Sequence, residues 1–310
     1  MPQYSQLSLV IPVYNEEAVF TELRRRVSAA LDELPYKWEV IFVNDGSIDS
    51  THEHINRTVK EDNRFVGIHL SRNFGHQQAI SAGLRETSGD IIGVIDGDLQ
   101  DPPEVVQDFL SKLNEGYDVV YAIRQKRKEG LLKRVSYRTF YHILYHLTPL
   151  HIPLESGDFC LMRRHVVDEI NKMPELNRFV RGLRHYCGYR QTGYAYERSA
   201  RAAGEPKYTF RKLLGLAADG IFTFSERPLK LATLLGVISA VLALAYSTYT
   251  LIWRIVSDVS LPGYATITIA VLYLGSVQLI CIGILGEYIG RIHNEVKKRP
   301  PYIVEQVVRA

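Results

Sequence analysis

Two long stretches without a charged residue lie near the C-terminal end, and they restrict the possible folds more than any other feature. Leu231–Trp253 covers 23 residues and Leu261–Gly286 covers 26, and neither contains Asp, Glu, Lys or Arg. As a helix, the shorter stretch is about 34 Å long at about 1.5 Å per residue, which is enough to cross the apolar core of a bilayer. The sequence therefore predicts two transmembrane helices, at about 229–253 and 262–286.

Basic residues flank the two stretches on their outer sides. Arg254 and Asp258, which lie between the stretches, nearly cancel in charge. Because cytoplasmic flanks carry the excess of Lys and Arg, we expect both ends in the cytoplasm and the short 255–260 loop outside. The outer basic residues are Arg211, Lys212, Arg227 and Lys230 before the first stretch, and Arg291, Lys297, Lys298 and Arg299 after the second.

The N-terminal segment and the cysteines agree with this topology. Residues 1–5 lack the basic region and the long apolar run of a signal peptide. Cys160, Cys187 and Cys281 are widely spaced and form no disulfide or zinc pattern, which fits a reducing compartment. We expect a multi-pass protein of the plasma (inner) membrane with a cytoplasmic catalytic domain.

Strands and helices alternate in the part of the chain before the apolar stretches. This alternation is typical of βαβ units, and it predicts an α/β fold with a doubly wound, mostly parallel sheet. Asp49 or Ser50 suits the N-cap of the helix after the second strand. The predicted strands are 7–13, 38–43, 65–70, 91–95 and 116–123, and the predicted helices include 17–34 and 77–87.

Polar side chains follow the first four predicted strands at the point where each strand ends. Because carboxyl ends of parallel strands meet at one edge, these side chains indicate a ligand site there. The chain lacks GxGxxG after its first strand and lacks GxxxxGK[ST], so dehydrogenases and P-loop kinases are disfavoured. A net charge of +3 indicates no nucleic-acid partner. The polar residues are Asn15 and Glu16, then Asp45, then Arg72 and Asn73, then Asp96 and Asp98.

Two aspartates leave the fourth strand one residue apart. Oxygen ligands such as Asp96, Asp98 and the Gln100 carbonyl suit Mg²⁺ or Mn²⁺, which commonly join carboxylates to substrate phosphates. For an isolated Asp-x-Asp, an acidic turn that caps a helix is the competing interpretation. The other polar strand ends favour the metal.

Three segments in order along the chain resemble family 2 glycosyltransferases of the GT-A fold, in the branch that acts on polyisoprenyl phosphates. These segments are 10–17 (VIPVYNEE), 43–49 (VNDGSID) and 96–104 (DGDLQDPPE). The resemblance implies a site for a nucleotide sugar and a divalent metal. It implies that the nucleotide sugar is bordered by Pro12, Tyr14, Glu16, Asp45, Asp96 and Asp98, with Asp96, Asp98 and Gln100 at the metal.

Two further segments resemble the part of the family's site that binds the acceptor phosphate. The resemblance makes Asp158, in Gly157-Asp158-Phe159, the candidate catalytic carboxylate, whereas the residues alone indicate an ordinary turn. Segment 196–208 resembles the family pattern Arg-x-x-Gly-x-x-Lys-Tyr, which implies that Arg201 and Lys207 are catalytic phosphate ligands. Because a phosphate monoester is already largely ionised at neutral pH, with a second pKa of about 6, Asp158 is either a base or a positioning group.

These features predict four regions. They are a cytoplasmic catalytic domain at 1–209, an amphipathic interfacial helix at 210–228, two transmembrane helices within 229–290 and a cytoplasmic tail at 291–310. A basic, aromatic segment at 131–147 fits either a membrane interface or a core-facing helix.

The resemblance implies inverting transfer of a hexose to a polyprenyl phosphate, with glucose from UDP-glucose and undecaprenyl phosphate favoured. GDP-mannose and a UDP-aminoarabinose derivative are alternative donors, and a non-catalytic nucleotide-binding scaffold is the rival of another class. The absence of Gln-x-x-Arg-Trp disfavours a processive synthase. Membrane lipid is an expected partner, and glycines on the second span, with the family, favour a homo-oligomer.

Overall fold

The computed structural model describes residues 5–125, 156–176, 178–197, 226–257 and 263–310. The described residues form two compact units. The sheet unit contains the described residues up to 197 together with 299–310, and the helical unit contains 226–257 and 263–298. The predicted segment 131–147, residues 210–225 of the predicted interfacial helix at 210–228, and also Arg201 and Lys207 lie outside the described residues.

One mixed sheet forms the centre of the sheet unit, in the order β7-β5-β6-β4-β1-β2-β3-β8. The pairs β4/β1, β1/β2, β2/β3 and β5/β7 are parallel, whereas β6 and β8 are antiparallel to their neighbours. The strands are β1 Gln6–Val13, β2 Lys37–Asn44, β3 Phe65–Leu70, β4 Ile91–Val94, β5 Val119–Gln125, β6 Ser156–Arg163, β7 Gln191–Glu197 and β8 Val304–Val308.

Helices cover both faces of this sheet, as buried apolar strands require. The helices of the sheet unit are α1 Glu17–Asp32, α2 Thr51–Glu61, α3 His76–Glu86, α4 Val106–Asn114, α5 Arg164–Lys172 and α6 Val180–Tyr186, with a 3₁₀ turn at Pro103–Val105. One face packs Phe20, Phe42 and Phe109 into its core, and the other packs Ile80 and Met162.

The predicted α/β fold with a mostly parallel sheet is confirmed, and the boundaries of the first four strands agree within one residue. The predicted cap of α2 is also close, since Ser50 is the N-cap and Asp49 Oδ1 accepts from the Thr51 N–H at 3.0 Å. The prediction did not include β6, β7 or β8. The chain at Asp158 therefore belongs to a strand, where the residues alone indicated a turn.

The C-terminal segment differs from the predicted tail. The second apolar helix continues to Val296, and residues 304–308 then form β8 against β3. The Ser71 N–H also donates to the Ile303 carbonyl at 3.0 Å. Gly67 of β3 pairs with Val308, and a Cβ at Gly67 would lie 2.6 Å from Ile55 Cγ2 of α2, so there is no room there for a side chain. Residues 299–310 thus complete the sheet unit.

Two helices make up the described helical unit, α7 at Arg227–Ser257 and α8 at Tyr264–Val296. Both are long enough and apolar enough to span a membrane, over Arg227–Trp253 and Ile269–Val296. They contact each other where Cys281 Sγ lies 3.5 Å from the Ala232 carbonyl. Large apolar side chains such as Leu244 and Leu279 are exposed along them, as lipid-facing positions would be.

Candidate active site

The site lies at the carboxyl edge of the parallel strands, where β1, β2 and β4 end in polar residues. Tyr14 follows β1 and is 41% exposed, and Asp45 follows β2 and is buried. Asp96 follows β4, and its side chain is 20% exposed. Since β1 lies between β2 and β4, these strand ends are neighbours. The predicted convergence at this edge is present.

The turns after β1 and β2 are joined by reciprocal hydrogen bonds. The Asn15 N–H donates to Ser47 Oγ at 3.0 Å, and the Ile48 N–H donates to Asn15 Oδ1 at 2.9 Å. The Glu16 N–H donates to Thr51 Oγ1 at 3.0 Å. Asn15 has φ +54°, a conformation that Asn tolerates better than most residues. We refer to residues 14–17 and 44–51 together as the paired loops.

Asp45 fixes a third loop against the paired loops. Its two carboxylate oxygens accept from the N–H groups of Phe74 at 2.7 Å and Gly75 at 2.9 Å. Gly46 permits the approach, because a Cβ there would lie 2.3 Å from the Arg72 carbonyl carbon. Burial raises the pKa of Asp45, although these two hydrogen bonds act in the opposite direction. Asp45, predicted to border the nucleotide, therefore orders the loop that leads into α3.

Asp158 is held by side chains from two helices. Arg181 of α6 donates from Nε to Oδ1 at 2.8 Å and from a second nitrogen to Oδ2 at 3.2 Å. Gln77 of α3 donates to Oδ2 at 3.3 Å, and its own Oε1 accepts from the Val180 N–H at 2.8 Å. Gln77 thus joins α3, α6 and β6 at this point.

His76 lies between Asp158 and Asp96. Its Nε2 is 3.4 Å from Asp158 Oδ2 and 3.4 Å from Asp96 Oδ1. Burial lowers the pKa of His76, but the hydrogen bond to Asp158 and the charge of Asp96 outweigh burial and raise it. Burial alone would raise the pKa of Asp158, yet His76 and Arg181 hold it well below its usual range. Asp158 is therefore ionised across the physiological range.

Asp96 has the properties of a cation ligand. Burial raises the pKa of its carboxyl to about 6, and the charges of Asp158, Asp101 and Asp98 add to this rise, although His76 opposes it. Such a concentration of negative charge fits a divalent cation. His76, Asp96 and Asp158 each offer a ligand atom, and these three atoms lie within 4.8 Å of one another. Carboxylate ligands suit Mg²⁺ and Mn²⁺, and imidazole is a common ligand of transition metals.

The segment after Asp96 is a tight turn. Asp98 Oδ1 accepts from the Gln100 N–H at 3.2 Å, Leu99 has φ +58°, and the Gln100 side chain is buried. Gly97 lies against β1, because a Cβ there would be 3.0 Å from the Pro12 carbonyl. Just beyond the turn, buried Asp101 accepts a hydrogen bond from the Tyr196 hydroxyl at the end of β7. The turn is thus fixed to both halves of the sheet.

The structure brings together Asp96 and Asp158, which the sequence assigned to the donor and acceptor sides. His76, Gln77 and Arg181 were not predicted as site residues from the sequence. The position of His76 and Gln77 at the first turn of α3, directly after a strand end, was an available signal. Arg181 offered no comparable signal, because its helix has seven residues and its partner is 23 residues away.

Comparison with known proteins agrees with this geometry. The model of the Glycosyl transferase family 2 matches residues 8–170, and the model of the GtrB C-terminal hairpin matches residues 227–292. The bactoprenol glucosyl transferase of Shigella phage SfII is 40% identical over 302 residues, covering 97% of this chain and 98% of that protein.

The chain belongs to glycosyl transferase family 2.

Other relatives of this family 2 glycosyltransferase cover nearly the whole chain as well. The glycosyltransferase YkcC of Bacillus subtilis is 43% identical and covers 99% of this chain and 95% of its own length. The glucosyl-3-phosphoglycerate synthase of Mycobacterium tuberculosis, solved with Mn²⁺, UDP and phosphoglyceric acid, has the same fold. It aligns with a TM-score of 0.51 at 20% identity, covering 71% of this chain and 77% of that one.

Proposed function

We propose that this glycosyltransferase moves a hexose from a nucleotide sugar to a polyprenyl phosphate at a membrane, with glucose from UDP-glucose as the donor. The observation that carries the proposal is the half-buried Asp96, with His76 and Asp158 beside it, in a family 2 chain that also has an apolar helical hairpin. The name of the phage relative, a bactoprenol glucosyl transferase, supports both the sugar and the lipid.

A divalent cation, Mn²⁺ or Mg²⁺, fits the acidic turn after β4. Asp96, Asp98 and the Gln100 carbonyl are the proposed ligands, and His76 and Asp158 each place a ligand atom within 4.8 Å of that of Asp96. When bound, the cation would neutralise charge on the diphosphate of the leaving group. The Mycobacterium tuberculosis synthase with the same fold was solved with Mn²⁺ and UDP, which supports this pairing.

The proposed reaction needs little base catalysis. An oxygen of the acceptor phosphate forms a bond to the anomeric carbon, the bond from that carbon to the β-phosphate oxygen breaks, and UDP leaves with the electron pair. The anomeric configuration inverts. Since the acceptor phosphate is already ionised, Asp158 has no proton to remove, and its place is to hold Arg181 and His76. Arg201 and Lys207 stay predicted phosphate ligands.

We also propose the organisation that this acceptor requires. Residues 1–209 form the cytoplasmic catalytic domain, 210–228 an interfacial helix, and 229–290 two membrane spans. Basic residues just outside the spans, such as Arg227, Lys230 and Lys297, favour cytoplasmic ends. Small residues on the second span favour a homo-oligomer.

Membranes that contain the full chain test the proposal directly. Labelled UDP-glucose, UDP-galactose, GDP-mannose and a UDP-aminoarabinose derivative are each incubated with undecaprenyl phosphate and Mn²⁺, and the lipid fraction is counted. We expect label in the lipid from UDP-glucose, a dependence on the metal that chelation reveals, and at least a hundredfold loss in Asp96→Asn.

The matched control is Asp168→Asn, which changes an exposed carboxylate of α5 that lies 3.9 Å from Arg164. This variant should transfer sugar at the wild-type rate. If label enters the lipid from another donor, the transferred sugar is that donor's and not glucose. No lipid-linked sugar from any donor would contradict the proposed transfer and favour a nucleotide-binding scaffold.

A further inference from the structure

A buried histidine lies beneath the paired loops and is outside the chemistry described above. His69, near the end of β3, is 1% exposed. Its Nδ1 lies 3.1 Å from Asn44 Nδ2, and its Nε2 lies 3.0 Å from Asn56 Oδ1. The ring of His52 stacks on it, with centroids 3.8 Å apart.

Hydrogen bonding fixes the state of this ring. Asn44 Oδ1 accepts from the Ser47 N–H at 2.9 Å, so the other end of the Asn44 amide, its NH₂ group, faces His69. His69 Nδ1 must then accept, and the proton sits on Nε2, where it is donated to Asn56. His69 is therefore neutral and in a single tautomer.

The hydrogen bond between His69 and Asn44 continues into the paired loops through further hydrogen bonds. Asn44 receives the backbone N–H of Ser47, and the hydroxyl of Ser47 accepts from the Asn15 N–H at 3.0 Å. Tyr14 and Glu16, the proposed donor-binding residues, flank Asn15. Three successive hydrogen bonds thus connect a buried ring in β3 to the turn after β1.

We propose that His69 is a positioning residue for the nucleotide sugar, acting through Asn44 and Ser47 on the paired loops. The inference rests on the proposed function, because the donor is what these loops are proposed to bind. His69 touches neither donor nor reacting atoms. Its role is to hold the Asn44 amide in the one orientation that leaves its oxygen available to Ser47.

The link requires the neutral ring. A proton on Nδ1 would place two donors against each other, and rotation of the Asn44 amide would only move that conflict to the Ser47 N–H. Within the described part of the chain, His52 of α2 is the titratable side chain that contacts the ring. Asn44 on β2 and Gln306, which is the register partner of His69 on β8, carry no charge. On the opposite face of β3, α3 packs against Ile68 and Leu70.

Three variants of the full-length protein, purified in detergent, test the role of His69. His69→Phe removes the acceptor, His69→Asn keeps an acceptor near the position of Nδ1, and His54→Phe changes a histidine of α2 that stacks on Phe20 instead. Hydrogen exchange of residues 44–51 is measured without ligand, and donor KM and kcat are measured with UDP-glucose.

We expect His69→Phe to speed exchange at Ser47 and Ile48 and to raise donor KM, each by about tenfold, the value of one buried hydrogen bond. The kcat should stay within about twofold, because the reacting groups are untouched. His69→Asn should restore both quantities, and His54→Phe should change neither.

The inference would be overturned if His69→Phe had the same exchange rates in residues 44–51 and the same donor KM as the wild-type protein. If that variant fails to fold, Asn44→Ala breaks the same link from β2 and must show the same two changes. A wild-type protein that transfers no sugar would contradict the proposed function instead, and the exchange of the paired loops would then still decide whether His69 positions them.

Discussion

Asp158 illustrates how neighbours decide the chemistry of a carboxylate. Two nitrogens of Arg181, the amide of Gln77 and the ring of His76 surround its oxygens. Because His76 and Arg181 keep its pKa well below the usual range, Asp158 is a poor proton acceptor at neutral pH. Its negative charge instead fixes the direction in which Arg181 and His76 point.

Replacement of this carboxylate distinguishes the two roles. Asp158→Asn keeps the shape but removes the buried charge that pairs with Arg181, so we expect transfer to fall by at least a hundredfold. The loss should be the same from pH 6 to pH 9, measured as initial rates of lipid glycosylation. A general base would be indicated if the deficit disappeared at alkaline pH.

His69 should also make stability depend on pH. Burial, with a smaller effect from His52, lowers its pKa from 6.5 to about 4 in the folded chain. Between these values the unfolded chain takes up a proton and the folded chain does not, so the free energy of unfolding decreases as pH falls from 6.5 to 4. The full loss is about 3 kcal/mol, at about 1.4 kcal/mol per pKa unit.

The measurement is denaturant unfolding followed by Trp38 fluorescence in a Trp253→Phe background, because Trp38 reports on the sheet unit. In His69→Asn this part of the pH dependence should vanish. An identical slope in the two proteins would show that His69 does not titrate between its folded and unfolded states.

Among the elements, those formed by local pattern were predictable from sequence and those formed by distant pairing were not. β1 to β4 are short apolar runs that end in polar residues, and each is followed by a helix or a turn with clear sequence signals. β6 is inserted antiparallel between β4 and β5, and nothing within Ser156–Arg163 specifies those neighbours. The environment of Asp158 was likewise not predictable from sequence, because tertiary packing brings Arg181 to it.

β8 gives a prediction at the scale of one strand. Removal of residues 301–310 deletes its ladder to β3 and the bond from Ser71 to Ile303. With about 1 kcal/mol for each lost backbone hydrogen bond, we expect the free energy of unfolding to fall and the melting temperature to decrease by several degrees. Thermal unfolding in detergent measures this change.

A shorter truncation is the matched control. Removal of Arg309 and Ala310 alone keeps β8 and deletes only the exposed ion pair of Arg309 with Glu86, which is worth little. The two truncations should therefore differ. Equal melting temperatures would mean that β8 contributes no stability to the sheet unit.

At the scale of the whole molecule, the proposed topology can be read from the accessibility of single cysteines. In a background with Cys160, Cys187 and Cys281 replaced by Ser, Ser257→Cys lies at the end of α7 and Lys298→Cys lies after α8. A membrane-impermeant maleimide should label position 257 in intact cells and position 298 only after permeabilisation. The reverse labelling pattern would show that the topology is the inverse of the proposed one.

The pairing of β8 with β3 also has a consequence for biosynthesis. The chain leaves the sheet unit, passes through both apolar helices and returns, so the final strand reaches the ribosome's exit after the hairpin. Until then β3 presents an open edge, the kind of surface at which nascent chains associate wrongly. Completion of the catalytic sheet is therefore delayed until both apolar helices have been translated, and β8 covers the open edge of β3 only after them.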